Sequence, residues 1–178
     1  MVFIAGFSAD VSADLPELAR TPITVVCSGA KIVLDLNATR EWLETHGITV
    51  LGWQCDEMPA FYSRTSGLPV DERVEHVGEV ADIVNARDKL GLKNSIVLTV
   101  PVPPEFEIER SELEGILDSA LRLAAKGGIA GKEITPFLLT AMAERSGGRT
   151  LSANIALLEN NARVAAQIAV SQGRKRER

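Results

Sequence analysis

Lys31 stands alone in the apolar run VVCSGAKIVLD, with Cys27, Ser28, Gly29 and Ala30 before it and Ile32, Val33 and Leu34 after it. An ammonium is strongly hydrated, and removing it from water is costly unless it is paired or gives up its proton. Two readings follow. The side chain snorkels to solvent along its own methylenes at a helix start, or the site calls for a free amine able to attack a carbonyl carbon. Upstream, FSADVSADL alternates Asp10, Ser12 and Asp14 with Ala9, Val11 and Ala13. In an extended segment these polar groups project on one side. In a loop after the strand VFIAG they stand at a carboxyl end, where α/β proteins place ligands. A polar loop with an Asx turn, and Asp14 capping the helix that begins LPELAR, accounts for them equally well.

A third group lies in TLSANIALLENNA, Thr150 to Ala162, where Asn154, Asn160 and Asn161 fall in a helical pattern. Asparagine is a mediocre helix former, so three of them need a reason. Capping explains Ser152 but not Asn160 or Asn161. CDEMPAFYSRTSG mixes acids, an arginine and aromatics, and reads as a structured surface loop. His46 and His76 have no second histidine or cysteine at metal-ligand spacing, so neither is given a catalytic role. GGIAGK lacks both the preceding strand and the hydroxyl residue after Lys132 that a phosphate loop needs.

Strand-like and helix-like runs alternate around these residues. TPITVVCSG, ITVLGWQ and NSIVLTVPVP read as strands, and the unbroken run Ile96–Val100 suits a parallel sheet covered on both faces. NATREWLETHG reads as a short helix capped by Asn37, with Trp42 and Leu43 inward and Gly47 as its stop. VEHVGEVADIVNARDKLG places Val77, Val80, Ile83 and Val84 on one face. SELEGILDSALRLAAKGG, capped by Ser111, and TPFLLTAMAERSGG, with Pro136 at its first position, are further helices. A last helix from about Ser152 packs Ile155, Leu158, Ala162, Ala165 and Ile168. The pattern predicts an α/β fold in three α/β/α layers, with a mostly parallel or mixed central sheet and SIVLTVP and ITVVCSG as inner strands. Residues 1–172 form one domain and 173–178 a basic, disordered tail. The first strand, VFIAG, has no covering helix before it, which reads as a fold truncated at its N-terminus.

The 178 residues are 46% hydrophobic and 24% charged with a net charge of −5, ordinary globular values. No basic stripe suggests nucleic acid, no apolar run approaches the roughly 20 residues that span a bilayer, and Met1 leads into a strand rather than a signal sequence. Two cysteines form no disulfide framework, which suits a reducing cytoplasmic compartment.

DVSADLPELARTPITVVCSGAKIVLD, TREWLETHGI, DEMPAFYSRTSG, GIAGKEITPFLL and GGRTLSANIALLENNARVAAQIA, in this order, resemble the pseudouridine-5'-phosphate glycosidase family. The resemblance covers nearly the whole chain. It implies reversible cleavage of the C–C glycosidic bond of pseudouridine 5'-phosphate to uracil and ribose 5-phosphate. Lys31 matches the family's imine-forming lysine, Asp10 its manganese ligand, Ser12, Ala13 and Asp14 its substrate-contacting triplet, and Asn154 an asparagine near the base. A homotrimer is also implied. The chemistry is coherent: a C–C glycosidic bond has no leaving oxygen to protonate, so the two-carboxylate route is poorly suited, whereas an amine at C1' supplies an electron sink. The apolar surroundings of Lys31 would lower its pKa and supply the free base. The family's glutamate proton donor, a second substrate-binding lysine and a glycine-histidine loop have no match here. A competing expectation is therefore an inactive or split-enzyme fragment that serves as a sugar-phosphate binding or assembly module.

Overall fold

The computed structural model describes the backbone of residues 2–4, 7–10, 14–30 and 35–176, and the side chains of residues 14–30, 35–131 and 133–173. In chain order the elements are β1 (Val2–Ile4), β2 (Phe7–Asp10), α1 (Asp14–Leu18), β3 (Thr24–Cys27), α2 (Leu36–Thr45), β4 (Thr49–Trp53), β5 (Glu72–Val74), α3 (Val77–Lys89), β6 (Ile96–Thr99), α4 (Arg110–Lys126), α5 (Ile134–Arg145) and α6 (Arg149–Arg176).

Four strands form one sheet in the order β3-β6-β4-β5, and every pairing is parallel. Thr24, Ile96 and Thr49 are aligned at one end, and Cys27, Thr99 and Gly52 at the other, so the carboxyl ends share one edge of the sheet. Alternating side chains supply both faces. Leu51, Ile96 and Leu98 pack on Val80 and Val84 of α3 and on Val164 and Ile168 of α6. Val50 and Val97 face the other way, onto Leu15 of α1 and Leu43 of α2. This is the three-layer α/β/α arrangement read from the sequence, and the fully buried β6 is the strand its unbroken apolar run predicts.

Several local expectations are corrected. β6 is internal, but β3 lies at an end of this sheet and its four residues are only partly buried. Within the first strand read from sequence, β1 pairs antiparallel with β2 and puts Val2 opposite Asp10. Short β5 falls just beyond the segment read as loop. Asp35, not Asn37, caps α2, its carboxylate accepting from Ala38 N–H at 2.9 Å. Glu109, not Ser111, stands at the start of α4, and Pro136 lies inside the first turn of α5.

The longest correction concerns α6. It begins at Arg149 and continues through Arg176, past the residue-172 boundary read from sequence. Its buried stripe is Ala153, Ala156, Leu157, Asn161, Val164 and Ile168, while Ile155 and Leu158 are 50% and 58% exposed. Two apolar stripes compete on this helix, and the periodicity alone does not say which one meets the sheet. A separate core joins α4, α5 and the start of α6 through Leu113, Ala120, Leu138, Met142 and Leu157, with Tyr62 and Val102 added from two loops. Among the described residues, no helix is long and apolar enough to cross a membrane.

Candidate active site

Ser28 and Gly29 leave β3 at the carboxyl edge of the sheet, two residues before Lys31. Lys31 itself lies outside the described residues, as do Ser12 and Ala13 and the side chain of Asp10. The turn that leads to Lys31 is held from two directions. On one side the Ser28 hydroxyl donates to Asn161 Oδ1 of α6 at 3.2 Å, and both residues are buried. On the other side Ser28 C=O accepts from Phe61 N–H at 3.0 Å.

Gly29 fits that second contact for a physical reason. Its φ is +80°, and a Cβ added there would stand 1.8 Å from the Pro59 carbonyl oxygen. No side chain is compatible with so close a backbone approach. The segment MPAFYS therefore lies directly against the turn. Phe61 has itself a φ of +64°, uncommon for a residue with a Cβ. Tyr62 ties the same segment to the helical core: its carbonyl accepts from Ile108 N–H at 3.0 Å, and its ring is 2% exposed. Burial, outweighing a hydrogen bond with Thr150, pushes the Tyr62 phenol up to about 12. The loop read from sequence as surface is thus largely a buried brace.

The paired asparagines find separate reasons. Asn161 accepts from Ser28, and Asn160 Nδ2 donates to Pro101 C=O at 3.2 Å, just after β6. Two adjacent amides on one helix tie the exits of two neighbouring strands. Sequence reasoning singled out both residues without a partner for either, and it missed Ser28 and Gly29 as positioning groups. The signal was present as two polar amides inside a helix that otherwise packs well.

Of the polar residues predicted from sequence, Asp14 and Asn154 are described, and Asp10 by its backbone alone. Ile168 and Gln172 of α6 line a groove with Pro22, Ile23 and Thr24 at the amino end of β3, so α6 runs antiparallel to the strands. Asn154 lies two turns before Asn161, about 10 Å along the helix, which carries it beyond the carboxyl edge. It is half-buried there. Leu18 C=O accepts from Ser95 N–H at 2.8 Å beside the start of β6. α1 thus ends beside the amino end of β6, and Asp14 is its first residue. Asp10 ends β2. Among the described residues no group of three or more His, Cys, Asp and Glu is arranged to hold a metal ion.

The remaining chemical candidates are quiet. Burial pushes the Cys27 thiol up, against a hydrogen bond from the backbone of Gly29, and burial likewise raises Cys55. Protonated thiols are poor nucleophiles. His46 stacks on Trp42, with ring centroids 3.6 Å apart, and His76 precedes α3, where its N–H donates to Glu79 at 3.0 Å. Both histidines do local structural work.

A doubly covered parallel sheet, with small polar groups at the carboxyl ends of its strands, defines a layered α/β protein of the class that places ligands at that edge. The family model described as Indigoidine synthase A like protein matches residues 5–171. The chain belongs to this family. It is 51% identical over 160 residues to the pseudouridine-5'-phosphate glycosidase of Geobacillus kaustophilus, which covers 90% of this chain and 53% of that one. Against the enzyme of the same name from Myxococcus xanthus it is 49% identical over 165 residues, 93% of this chain and 54% of the relative. The chain spans about half the length of the curated relatives it matches. Two solved structures have the same fold. An indigoidine synthase A-like protein from Thermotoga maritima superimposes with a TM-score of 0.83 at 42% identity, covering 91% of this chain and 53% of that one. The prealnumycin C-glycosynthase AlnA, in complex with ribulose 5-phosphate, gives 0.86 at 32% identity, covering 95% and 56%.

Proposed function

We propose that this chain carries the amine-bearing part of a pseudouridine-5'-phosphate glycosidase site, with Lys31 as the nucleophile. The observation that supports it best is the braced turn at Ser28 and Gly29. At the carboxyl edge of a parallel sheet, a buried hydroxyl–amide bond and a glycine-only backbone contact fix Ser28 and Gly29, just ahead of Lys31 in the sequence. Snorkelling alone makes no demand for such bracing.

In the proposed reaction the neutral Lys31 amine adds to C1' of the sugar, and the C1'–O4' bond breaks, opening the ring. The nitrogen lone pair then forms an iminium as the C1'–C5 bond to uracil breaks and C5 takes up a proton. Water hydrolyses the iminium, giving ribose 5-phosphate and restoring the amine. In cleavage the nitrogen lone pair supplies electrons to C1' as the bond pair leaves on C5, and in the reverse direction the iminium accepts the C5 pair. The resemblance assigns the proton on C5 to a glutamate with no match in this chain. Ser12, Ala13 and Asp14 are proposed to hold the substrate, and Asn154, overhanging the same edge, to meet the base.

Asp10 is the proposed ligand of a manganese ion. A hard cation of this kind accepts one or two carboxylates and keeps several waters, so a lone Asp with Asp14 four residues on fits its donor chemistry. When bound, the ion supplies electrostatic stabilisation and orients substrate oxygens. A trimeric assembly and a cytoplasmic setting belong to the same proposal.

Borohydride reduction in the presence of ribose 5-phosphate tests the assignment. A single adduct mapped to Lys31, absent in Lys31→Arg, is the expected result, because guanidinium stays protonated and cannot form the imine. Labelling spread over surface lysines and unchanged in Lys31→Arg would refute it.

A further inference from the structure

A second cleft, of about 450 Å³, opens beyond the ends of β4 and β6, lined in part by Trp53, Gln54, Arg64, Glu105, Asn160 and Arg163. Its volume falls in the range of small-molecule sites. Two arginines, Arg64 and Arg163, share this lining. The ion pairs among the described residues engage neither Arg64 nor Arg163. Other arginines do pair with acids, as Arg73 does with Asp56 and Glu75 and Arg149 with Glu112. In a protein of net negative charge, Arg64 and Arg163 bring two guanidiniums without an ion pair to the lining of one cleft.

Both are nevertheless held in place. Arg64 is half-buried and spends one N–H on Val102 C=O at 2.6 Å. Arg163 spends one on Asn160 Oδ1 at 2.5 Å, and the Asn160 amide is itself anchored on Pro101 C=O. A guanidinium has five N–H groups, so each retains donors in a fixed fork. Forks of this kind suit the oxygens of a phosphate, which accept from arginine in pairs. The cleft is larger than a bare phosphate needs, and the half-buried Trp53 adds an apolar wall. Glu105 is the one carboxylate among these lining residues.

We propose that this cleft binds a phosphate monoester of a small organic molecule, separately from the Lys31 turn. Calorimetric titration with inorganic phosphate, ribose 5-phosphate and uridine 5'-monophosphate tests it. Lys31→Arg serves as the background, so that imine formation adds no heat. Saturable binding is expected, weakened by about tenfold or more in both Arg163→Gln and Arg64→Gln, since each removes a charge-assisted hydrogen bond. Tighter ribose 5-phosphate identifies a sugar phosphate as the ligand, and tighter uridine monophosphate a nucleotide. Arg163 is exposed, so its variant is expected to melt as wild type, which keeps the test clear of misfolding. Arg163→Gln titrating like its parent, or no saturable binding of any of the three probes, would overturn the proposal. A failed Lys31 adduct would leave this result intact, and the reverse also holds.

Discussion

Replacing Gly29 with alanine probes the brace most directly, and Gly67 supplies the control. Both residues have nearly the same backbone, with φ of +80° and +78°. Their surroundings differ completely. A Cβ on Gly29 would stand 1.8 Å from the Pro59 carbonyl oxygen and 2.9 Å from its carbon, whereas a Cβ on Gly67 meets nothing within 4 Å. A left-handed backbone costs an alanine roughly 1–2 kcal/mol, and the stiffer unfolded chain offsets roughly 0.4–1 kcal/mol of it. Gly67→Ala should therefore lose about 1 kcal/mol. Gly29→Ala must also displace a backbone carbonyl, and overpacking of this kind adds roughly 1–3 kcal/mol. The expected total is about 2–4 kcal/mol. For a chain of this size each kcal/mol moves Tm by about 2–4 °C. Gly29→Ala should thus melt about 4–16 °C below wild type, and Gly67→Ala no more than about 4 °C below. Urea unfolding followed by circular dichroism gives the free energies independently. Equal losses in the two variants would mean that Pro59 does not press on the turn, and the bracing argument would fail. Gly29→Ala should also slow the borohydride adduct under conditions where it is fully folded, an effect Gly67→Ala should lack.

Two more outcomes follow from the same region. Ser28→Ala and Asn161→Ala each leave a buried polar partner unsatisfied, at a cost of roughly 1–3 kcal/mol, and the double variant should lose less than the sum; strictly additive urea midpoints would contradict the bond. The buried Tyr62 phenol, raised from 10 to about 12, should resist ionisation in the native protein while the unfolded chain ionises normally. Stability from this group is complete below pH 10 and declines as pH rises toward 12; an ultraviolet phenolate titration showing Tyr62 ionising near 10 in folded protein would remove the effect.

Much of this protein can be read from the chain alone. The apolar runs of β6 and β4, the amphipathic face of α3 and the stop at Gly91 are local facts, since burial on both faces demands continuous apolar residues and a helix on one face demands their recurrence at three and four. The polar groups of the candidate site announced themselves by being out of place: a lone lysine in an apolar run, and two asparagines inside a packed helix. What those groups do was decided by tertiary structure. The partner of Asn161 is 133 residues away at Ser28, and the group that demands Gly29 is a carbonyl in another loop, contacts that no local spacing encodes. The same holds for α6, whose two apolar stripes are equivalent on periodicity and are separated only by which one meets Val84 and Leu98. It holds for β3 as well: its apolar character marks it as a strand, but its place at an end of the sheet depends on the crossovers that insert β6 between it and β4. Hydrophobic pattern is local and fixes what each segment becomes, whereas edges, braces and clefts arise only when distant segments meet.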